Sequence, residues 1–133
     1  MRIVLDTNVL VSGIFFTGPP FEILQAWRDR KIQLVLSIEI LDEYRRVATE
    51  LGSQFPDIDI SSFLDLVTVN SNIVEAPALP DPVCADTDDD KFIACAIAGK
   101  TKMIVSGDKH LLKADGFRNI RVYKPRDFAD KYL

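Results

Sequence analysis

Four acidic side chains would form one cation site if the fold brings them together: Asp6, Glu43, Asp90 and Asp108. Asp6 directly follows the apolar run at residues 3–5, and Asp108 follows another apolar run at 103–105. In open parallel α/β sheets, functional sites form beyond the carboxyl ends of the strands. Carboxylate oxygens suit Mg²⁺ or Mn²⁺, ions that bind a phosphodiester and activate water. With a single histidine in the chain, the pattern predicts metal chemistry that depends on carboxylates.

Each of these acidic residues also has a purely structural interpretation. Aspartate is common in turns, which by itself explains Asp6 and Asp108 at the ends of strands. Glu43 belongs to a polar helical stripe, which is typical of side chains that face solvent. Asp90 has two acidic neighbours that would cap a helix equally well. The metal site is therefore predicted from the four residues in combination.

The elements that must position these side chains follow from the hydrophobic pattern. Short apolar runs predict strands at 2–5, 32–36, 73–74, 102–105 and 120–122. Apolar periodicity predicts helices after the turn at 17–20, at 38–51, from 59 or 61 through 67, at 87–98, at 109–113 and from Pro125 onward. Ser37 is the predicted N-cap of the second of these helices. Alternating strands and helices predict an α/β fold, a three-layer α/β/α sandwich with a central parallel sheet.

Length and composition indicate one ordinary globular domain covering residues 1–133. The chain is 47% hydrophobic and 27% charged, with few glycines and prolines. No apolar stretch approaches the length of about 18 residues that a membrane helix needs. The apolar start reaches Asp6 too early for the core of a signal peptide. We therefore expect a cytoplasmic protein that does not associate with a membrane.

The charge is unevenly distributed along the chain. Residues 1–99 hold 7 Lys or Arg against 16 Asp or Glu, whereas residues 100–133 hold 9 against 4. An acidic body with a basic C-terminal third suits a protein that collects carboxylates in one place and attracts an anion from another. The alternative is an ordinary solvated surface. The basic side chains concerned are Lys109, Lys113, Arg118, Arg121, Lys124 and Arg126.

Four segments together resemble the motifs of PIN-domain proteins. Residues 3–10, IVLDTNVL, resemble the first motif, an apolar strand followed by Asp-Thr-Asn. Residues 40–44, ILDEY, match the helix that carries the family's acidic residue, and residues 90–96, DKFIACA, resemble the third motif. Residues 104–108, IVSGD, resemble the fourth, in which a Ser or Thr precedes the Asp by two positions. The order and spacing agree over nearly the whole chain, most closely with the branch that contains toxins of bacterial and archaeal toxin–antitoxin pairs.

The resemblance implies a metal-dependent endoribonuclease. Asp6, Glu43, Asp90 and Asp108 would hold Mg²⁺ or Mn²⁺, and whether Asp88 or Asp89 also contributes is open. Asn8 and Ser106 would orient the ligands or water, and the basic residues Lys109, Lys113 and Arg121 would contact RNA. The resemblance further implies a homodimer or higher homo-oligomer and a cognate antitoxin protein. The alternative is a non-catalytic PIN domain that binds RNA or protein.

Two other enzyme classes also place acidic residues at strand ends. A haloacid-dehalogenase-like phosphatase needs a second aspartate two positions after the first, where this chain has Asn8. A response-regulator receiver needs a lysine after a late strand, and Lys109 follows the wrong element. Both classes are excluded by these positions.

Overall fold

The computed structural model describes all residues 1–133, and its centre is a five-stranded sheet. The strands are β1 (Arg2–Leu5), β2 (Gln33–Leu36), β3 (Asn72–Ile73), β4 (Met103–Val105) and β5 (Arg121–Tyr123). Their order is β3-β2-β1-β4-β5, and every neighbouring pair is parallel. The predicted α/β class with a parallel sheet is confirmed, and each predicted strand lies within one or two residues of an observed one.

Seven helices connect and cover the strands. They are α1 (Thr7–Phe15), α2 (Pro19–Arg28), α3 (Ile38–Gly52), α4 (Ile60–Asn70), α5 (Asp90–Ala98), α6 (Lys109–Lys113) and α7 (Pro125–Tyr132). Helix α1 packs against α2 and α3, and α3 packs against α4, while α5 contacts β1, β2 and β4 and α6 contacts β5. Helix α7 returns to pack against α2. No single helix is long and apolar enough to cross a membrane, and only α1 and α2 taken together, bent by 89°, reach that length and composition.

The helix starts follow local capping chemistry. Ser37 caps α3 as predicted, since its hydroxyl accepts the Ile40 N–H at 3.3 Å. Asp59 caps α4 by accepting the Ser62 N–H at 3.0 Å. Asp108 occupies the same position at α6, where its carboxylate accepts the His110 N–H at 2.7 Å. A side-chain oxygen at each start satisfies a backbone donor that the helix itself leaves unpaired.

The central strands are buried because helices cover both faces of the sheet. Ile3, Val4 and Leu5 of β1 have no exposed surface, and the apolar residues of β2 are equally enclosed. The hydroxyl of Tyr44, on α3, donates to the Leu5 carbonyl. This buried bond fixes α3 against the carboxyl end of β1, directly before Asp6.

Helix α1 was not predicted from the pattern. Its residues Val9, Leu10 and Val11 are consecutive and all buried, so the segment lacks the polar face that marks an amphipathic helix. It packs between α2 and α3. Gly13 allows the close approach of α1 to α2, because a Cβ there would lie 2.6 Å from Leu24 Cδ1 and 2.7 Å from the Pro20 carbonyl oxygen.

We therefore expect Gly13→Ala to lower the free energy of unfolding by about 1–2 kcal/mol, since the overpacking exceeds the better helix propensity of alanine. Urea unfolding in chelator measures it. Gly107→Ala is the control, because a Cβ at Gly107 meets nothing within 4 Å. Its effect should stay within about 0.5 kcal/mol. Equal stability of Gly13→Ala and wild type would contradict the close packing of α1 and α2.

Candidate metal centre

Asp6 lies at the carboxyl end of the middle strand and is almost enclosed. Its N–H donates to the Val105 carbonyl at 3.0 Å, which continues the pairing of β1 with β4. Its carbonyl accepts the first backbone bonds of α1. The side chain is buried, with 6% of the residue exposed, and its Oδ2 accepts the Ser106 hydroxyl at 2.6 Å. A single neutral hydroxyl is thus the side-chain donor to a buried carboxylate.

Ser106 connects two of the predicted acidic residues. Besides donating to Asp6, its Oγ accepts the Asp108 N–H at 2.9 Å. Ser106 is fully buried. The serine therefore fixes the turn that carries Asp108 relative to the Asp6 carboxylate. About a third of the Asp108 side chain is exposed, so this carboxylate lies at the mouth of the site.

The third motif differs from the expectation, because Asp89 and not Asp90 turns toward this cluster. Asp90 Oδ1 accepts the Cys84 N–H at 2.7 Å, and Oδ2 accepts the Val83 N–H at 3.1 Å. Asp90 thereby anchors the loop before α5. Burial, followed by the adjacent Asp90 carboxylate, raises the pKa of the Cys84 thiol to about 12, so that thiol stays protonated.

Asp89 shares its surroundings with the single histidine. Its Oδ2 lies 3.4 Å from His110 Nδ1, and the same nitrogen lies 3.5 Å from Asp108 Oδ1. Ligand atoms of Asp86, Asp89 and His110 all lie within 4.8 Å of one another, a spacing that suits a metal ion. The Asp88 carboxylate is instead mostly exposed and pairs with Lys91.

The pKa values show that the carboxylates oppose one another. Burial, and then the charges of Asp108 and Glu43, raise the pKa of Asp6, while the Ser106 hydrogen bond opposes the rise. Burial, and then the charges of Asp108, Asp86 and Asp6, raise the pKa of Asp89 to about 6. Like charges in a partly buried site favour protonation or a bound cation. The structure thus brings Asp6, Glu43, Asp89 and Asp108 into one electrostatic cluster.

Glu43 belongs to that cluster but already has partners on both oxygens. The Thr7 hydroxyl donates to Oε2, and Lys91 Nζ lies 2.7 Å from Oε1. Burial lowers the pKa of Lys91, but the hydrogen bonds and charges of Glu43 and Asp88 outweigh it and leave that pKa raised. The ammonium group of Lys91 is therefore charged and held inside the site.

Asn8 and most of the basic residues lie away from the carboxylates. Asn8 is exposed and lines a depression between α1 and α3 with Ser12 and Glu50. Arg121 is the first residue of β5, so it lies at the amino ends of the strands, opposite the carboxylates. Its Nε lies 3.0 Å from Asp115 Oδ1. Lys109 directly follows Asp108 and is exposed. Lys113 is exposed at the last position of α6, and Lys124 follows the carboxyl end of β5.

Sequence reasoning missed three residues that contact the acidic cluster: Thr7, Lys91 and His110. Each stands beside a residue that the motifs single out, so proximity in sequence was the available signal. Thr7 follows Asp6 and faces inward from the first turn of α1, whereas Asn8 faces outward. The pattern could not show this because α1 itself was not predicted.

The donor set of the cluster fits a divalent cation with a preference for oxygen. Asp6 and Asp89 have raised pKa values from mutual repulsion, which a cation would relieve. Carboxylates of this kind are ordinary ligands for Mg²⁺ or Mn²⁺. Asp86, Asp89 and His110 form the group whose ligand atoms already lie close enough to share one ion.

The fold is thus a parallel α/β sheet with carboxylates at its carboxyl edge. The chain belongs to the PIN-domain family, whose model, described as PIN domain, matches residues 2–110. PIN domains are generally nucleases and generally use divalent metals. An uncharacterized protein of Methanocaldococcus jannaschii is similar to this chain, with 29% identity over an alignment 148 positions long that covers 99% of the chain and 92% of that protein.

We expect the charge of Asp89 to destabilise the metal-free protein at neutral pH. The pKa of Asp89 in the folded protein, about 6, lies above the ordinary aspartate value of 3.8, so the folded state holds this proton more tightly. The protonated form of Asp89 therefore stabilises the folded protein. This stabilisation is complete below the ordinary value of 3.8 and is lost as the pH rises through about 6. In chelator, Asp89→Asn should therefore gain stability over wild type between pH 4 and 7.5, on the order of 1 kcal/mol after solvent screening.

Thermal unfolding across that pH range measures the effect. Asp65→Asn is the matched control, since Asp65 is exposed on α4 and is not among the charges that raise the pKa of Asp6 or Asp89. Its difference from wild type should not change with pH. A constant difference for Asp89→Asn as well would show that Asp89 is not repelled by its neighbours.

Proposed function

We propose that this protein is a metal-dependent endoribonuclease that hydrolyses RNA phosphodiester bonds. One observation carries the proposal: Asp6 and Asp108 share the buried Ser106 hydroxyl, and the Asp89 carboxylate is repelled by both. We assign Asp6, Asp89 and Asp108 as the residues that hold Mg²⁺ or Mn²⁺. Bound there, the ion would orient the phosphodiester and activate water. Asp90, for which the sequence predicted a ligand role, holds the loop at residues 83–84 in place.

The protein residues have separable tasks in this proposal. Ser106 orients Asp6 through a hydrogen bond of 2.6 Å and keeps Asp108 in register with it. His110 lies against both Asp89 and Asp108, where it can hold or pass a proton at Nδ1. The burial of Asp6 limits access of bulk water to the centre. Lys91 and Thr7 hold the Glu43 carboxylate beside it.

The direct test is cleavage of a generic single-stranded RNA with Mg²⁺, with Mn²⁺ and with chelator. We expect Asp6→Asn to reduce cleavage by at least about 100-fold, since even residues that only support metal ligands lower activity by 10–100-fold. The variant should be folded and at least as stable as wild type in chelator, because it removes one of several repelling charges.

Two variants serve as comparisons for that test. Asp65→Asn should cleave like wild type. Asp90→Asn should lose stability through the loop and retain more activity than Asp89→Asn. If wild type binds RNA but cleaves it with neither metal, the alternative of a non-catalytic PIN domain is favoured. If Asp6→Asn has a much lower melting temperature than wild type, the role of Asp6 is structural.

RNA would approach over the basic C-terminal third, where Lys109 directly follows Asp108 and Lys113 lies one turn further along α6. Phosphate contacts of this kind position a strand without reading its bases. We expect Lys109→Glu with Lys113→Glu to weaken RNA affinity and to reduce the salt slope by about 2, one for each lost contact. Mn²⁺ affinity should change little, because the oxygen ligands remain.

The matched control for this double reversal is Arg2→Glu with Lys31→Glu. Both residues are exposed at the amino edge of the sheet, away from the carboxylates, and the change in net charge is the same. RNA affinity is measured over a salt series for all three proteins. If RNA affinity has the same salt dependence in the two double variants, the loss of affinity comes from net charge and not from contacts of Lys109 and Lys113.

The biological role we propose is that of the toxin in a toxin–antitoxin pair, based on the resemblance of the motifs to that branch of the family. The proposed partners are an RNA substrate, an antitoxin protein and a second copy of the chain. Growth arrest on induced expression, relieved by the product of an adjacent small gene and absent for Asp6→Asn, would support the role. Light scattering of the purified protein gives the oligomeric state.

A further inference from the structure

A cavity of about 380 Å³ opens between α2, α4 and the amino ends of β2 and β3. Gln33 and Asn72, at its rim, are the first residues of those two strands. Asp6 follows the last residue of β1, so the acidic cluster lies at the other end of the parallel sheet. Small-ligand sites in proteins have volumes of roughly 300–1,000 Å³, a range that includes this cavity.

The rim of the cavity is positively charged. Arg28 and Arg30 line it, and no acidic residue does. Neither guanidinium group forms an ion pair within the chain, whereas Arg46 and Arg121 both do. Arg30 also has φ 63°, the left-handed conformation that glycine usually adopts at the end of a helix. Two unpaired guanidinium groups beside one cavity favour an anionic ligand, and their planar donor groups match phosphate oxygens.

The floor of the cavity is apolar and largely aromatic. The rings of Trp27 and Phe63 pack edge to face with centroids 5.9 Å apart, and Ile32 and Leu66 complete the apolar lining. Aromatic side chains bind nucleobases by stacking, because every base has a flat π-face. The lining therefore suits a planar ring system joined to the anion.

Amide side chains supply hydrogen-bonding groups at the rim. Asn72 Nδ2 donates to Gln33 Oε1 at 3.3 Å, and we call these two residues the amide pair. Their bond leaves one amide oxygen and one amide nitrogen free to bind a ligand, and this also holds if both amides are turned over. An acceptor beside a donor matches adenine, which offers an amino group next to a ring nitrogen.

We propose that this cavity binds an adenine nucleotide at a site separate from the metal centre. Arg28 and Arg30 bind the phosphate, the base lies against the aromatic floor, and the amide pair contacts the edge of the base. A free nucleotide and a single nucleotide of an RNA strand share this chemistry, so the experiment compares these two sources. The site needs no metal ion and does not depend on the proposed nuclease activity.

The first probe is AMP, added to the protein in chelator. Trp27 is the single tryptophan of the chain and lines the cavity, so its fluorescence reports a bound base. AMP should quench this fluorescence along a saturable curve with a Kd below about 1 mM. Inorganic phosphate should not quench it. Adenosine should bind at least about tenfold more weakly than AMP, because it lacks the charged group.

The contribution of the arginines is tested with a double variant. Arg28→Gln with Arg30→Gln should weaken AMP binding by at least about tenfold, since the charged hydrogen bonds are lost. Arg118→Gln with Arg126→Gln is the matched control, because it removes the same charge from exposed side chains. Arg118, with φ 49°, also matches the left-handed conformation of Arg30. The control should bind AMP with a Kd within about twofold of wild type, since distant exposed charges are screened.

The contribution of the amide pair is tested by changing the base. Wild type should bind AMP more tightly than UMP, and Asn72→Ala should remove most of that difference, because the pair is then broken. A 5′-phosphorylated RNA tetranucleotide, also in chelator, distinguishes the sources. If it binds more tightly than AMP and AMP displaces it, the ligand is a nucleotide of RNA. If AMP binds more tightly, the ligand is the free nucleotide.

Several outcomes would overturn this site. They are no saturable quenching by AMP, quenching by phosphate equal to that by AMP, and an equal loss of affinity in the two double variants. UMP that binds wild type as tightly as AMP would overturn the assignment of adenine. Because every measurement is made in chelator, none of these outcomes bears on the metal-dependent cleavage proposed above.

Discussion

The buried negative charge of Asp6 constrains the whole carboxyl edge of the sheet. Since β1 is the middle strand, its end opens at the centre of the molecule, where water reaches little of the side chain. The neutral Ser106 hydroxyl and the Thr7 backbone N–H are the hydrogen bonds that lower its pKa, and they do not offset burial. The neighbouring elements place polar groups around that charge. Strand β4 leads to Ser106, and helices α3 and α5 carry the Glu43–Lys91 pair. The repulsion that remains between the carboxylates favours a cation.

The fold was predictable because its strongest signals are local. Strands buried on both faces appear as short continuous apolar runs, and the runs before Asp6 and Asp108 are of this kind. Ser37 and Pro125 mark helix starts through chemistry that depends only on adjacent residues. The convergence at the carboxyl edge then follows from parallel topology, since strands that run the same way end on the same side.

The individual side chains of the site were less predictable, because their direction depends on geometry within a single turn. Residues 87–89 form a 3₁₀ turn that passes into α5 at Asp90. A 3₁₀ turn has 3.0 residues and an α-helix 3.6, so the point of transition decides which of two adjacent aspartates faces the cluster. The pair formed by Glu43 and Lys91 joins two separate helices, and no local pattern in the sequence indicates it.

The pairing of β1 with β4 gives the protein a particular order of assembly. Val4 pairs with Ile104 and Leu5 with Val105, so the first strand of the chain completes its sheet only with a segment made about a hundred residues later. Contacts between segments so distant in sequence form slowly, because the long loop between them must first be closed. While the chain is being synthesised, Asp6 therefore has no Ser106 beside it and no Asp108 within reach. The carboxylates are separate until most of the chain exists, so the acidic cluster forms only when synthesis of the chain is nearly complete.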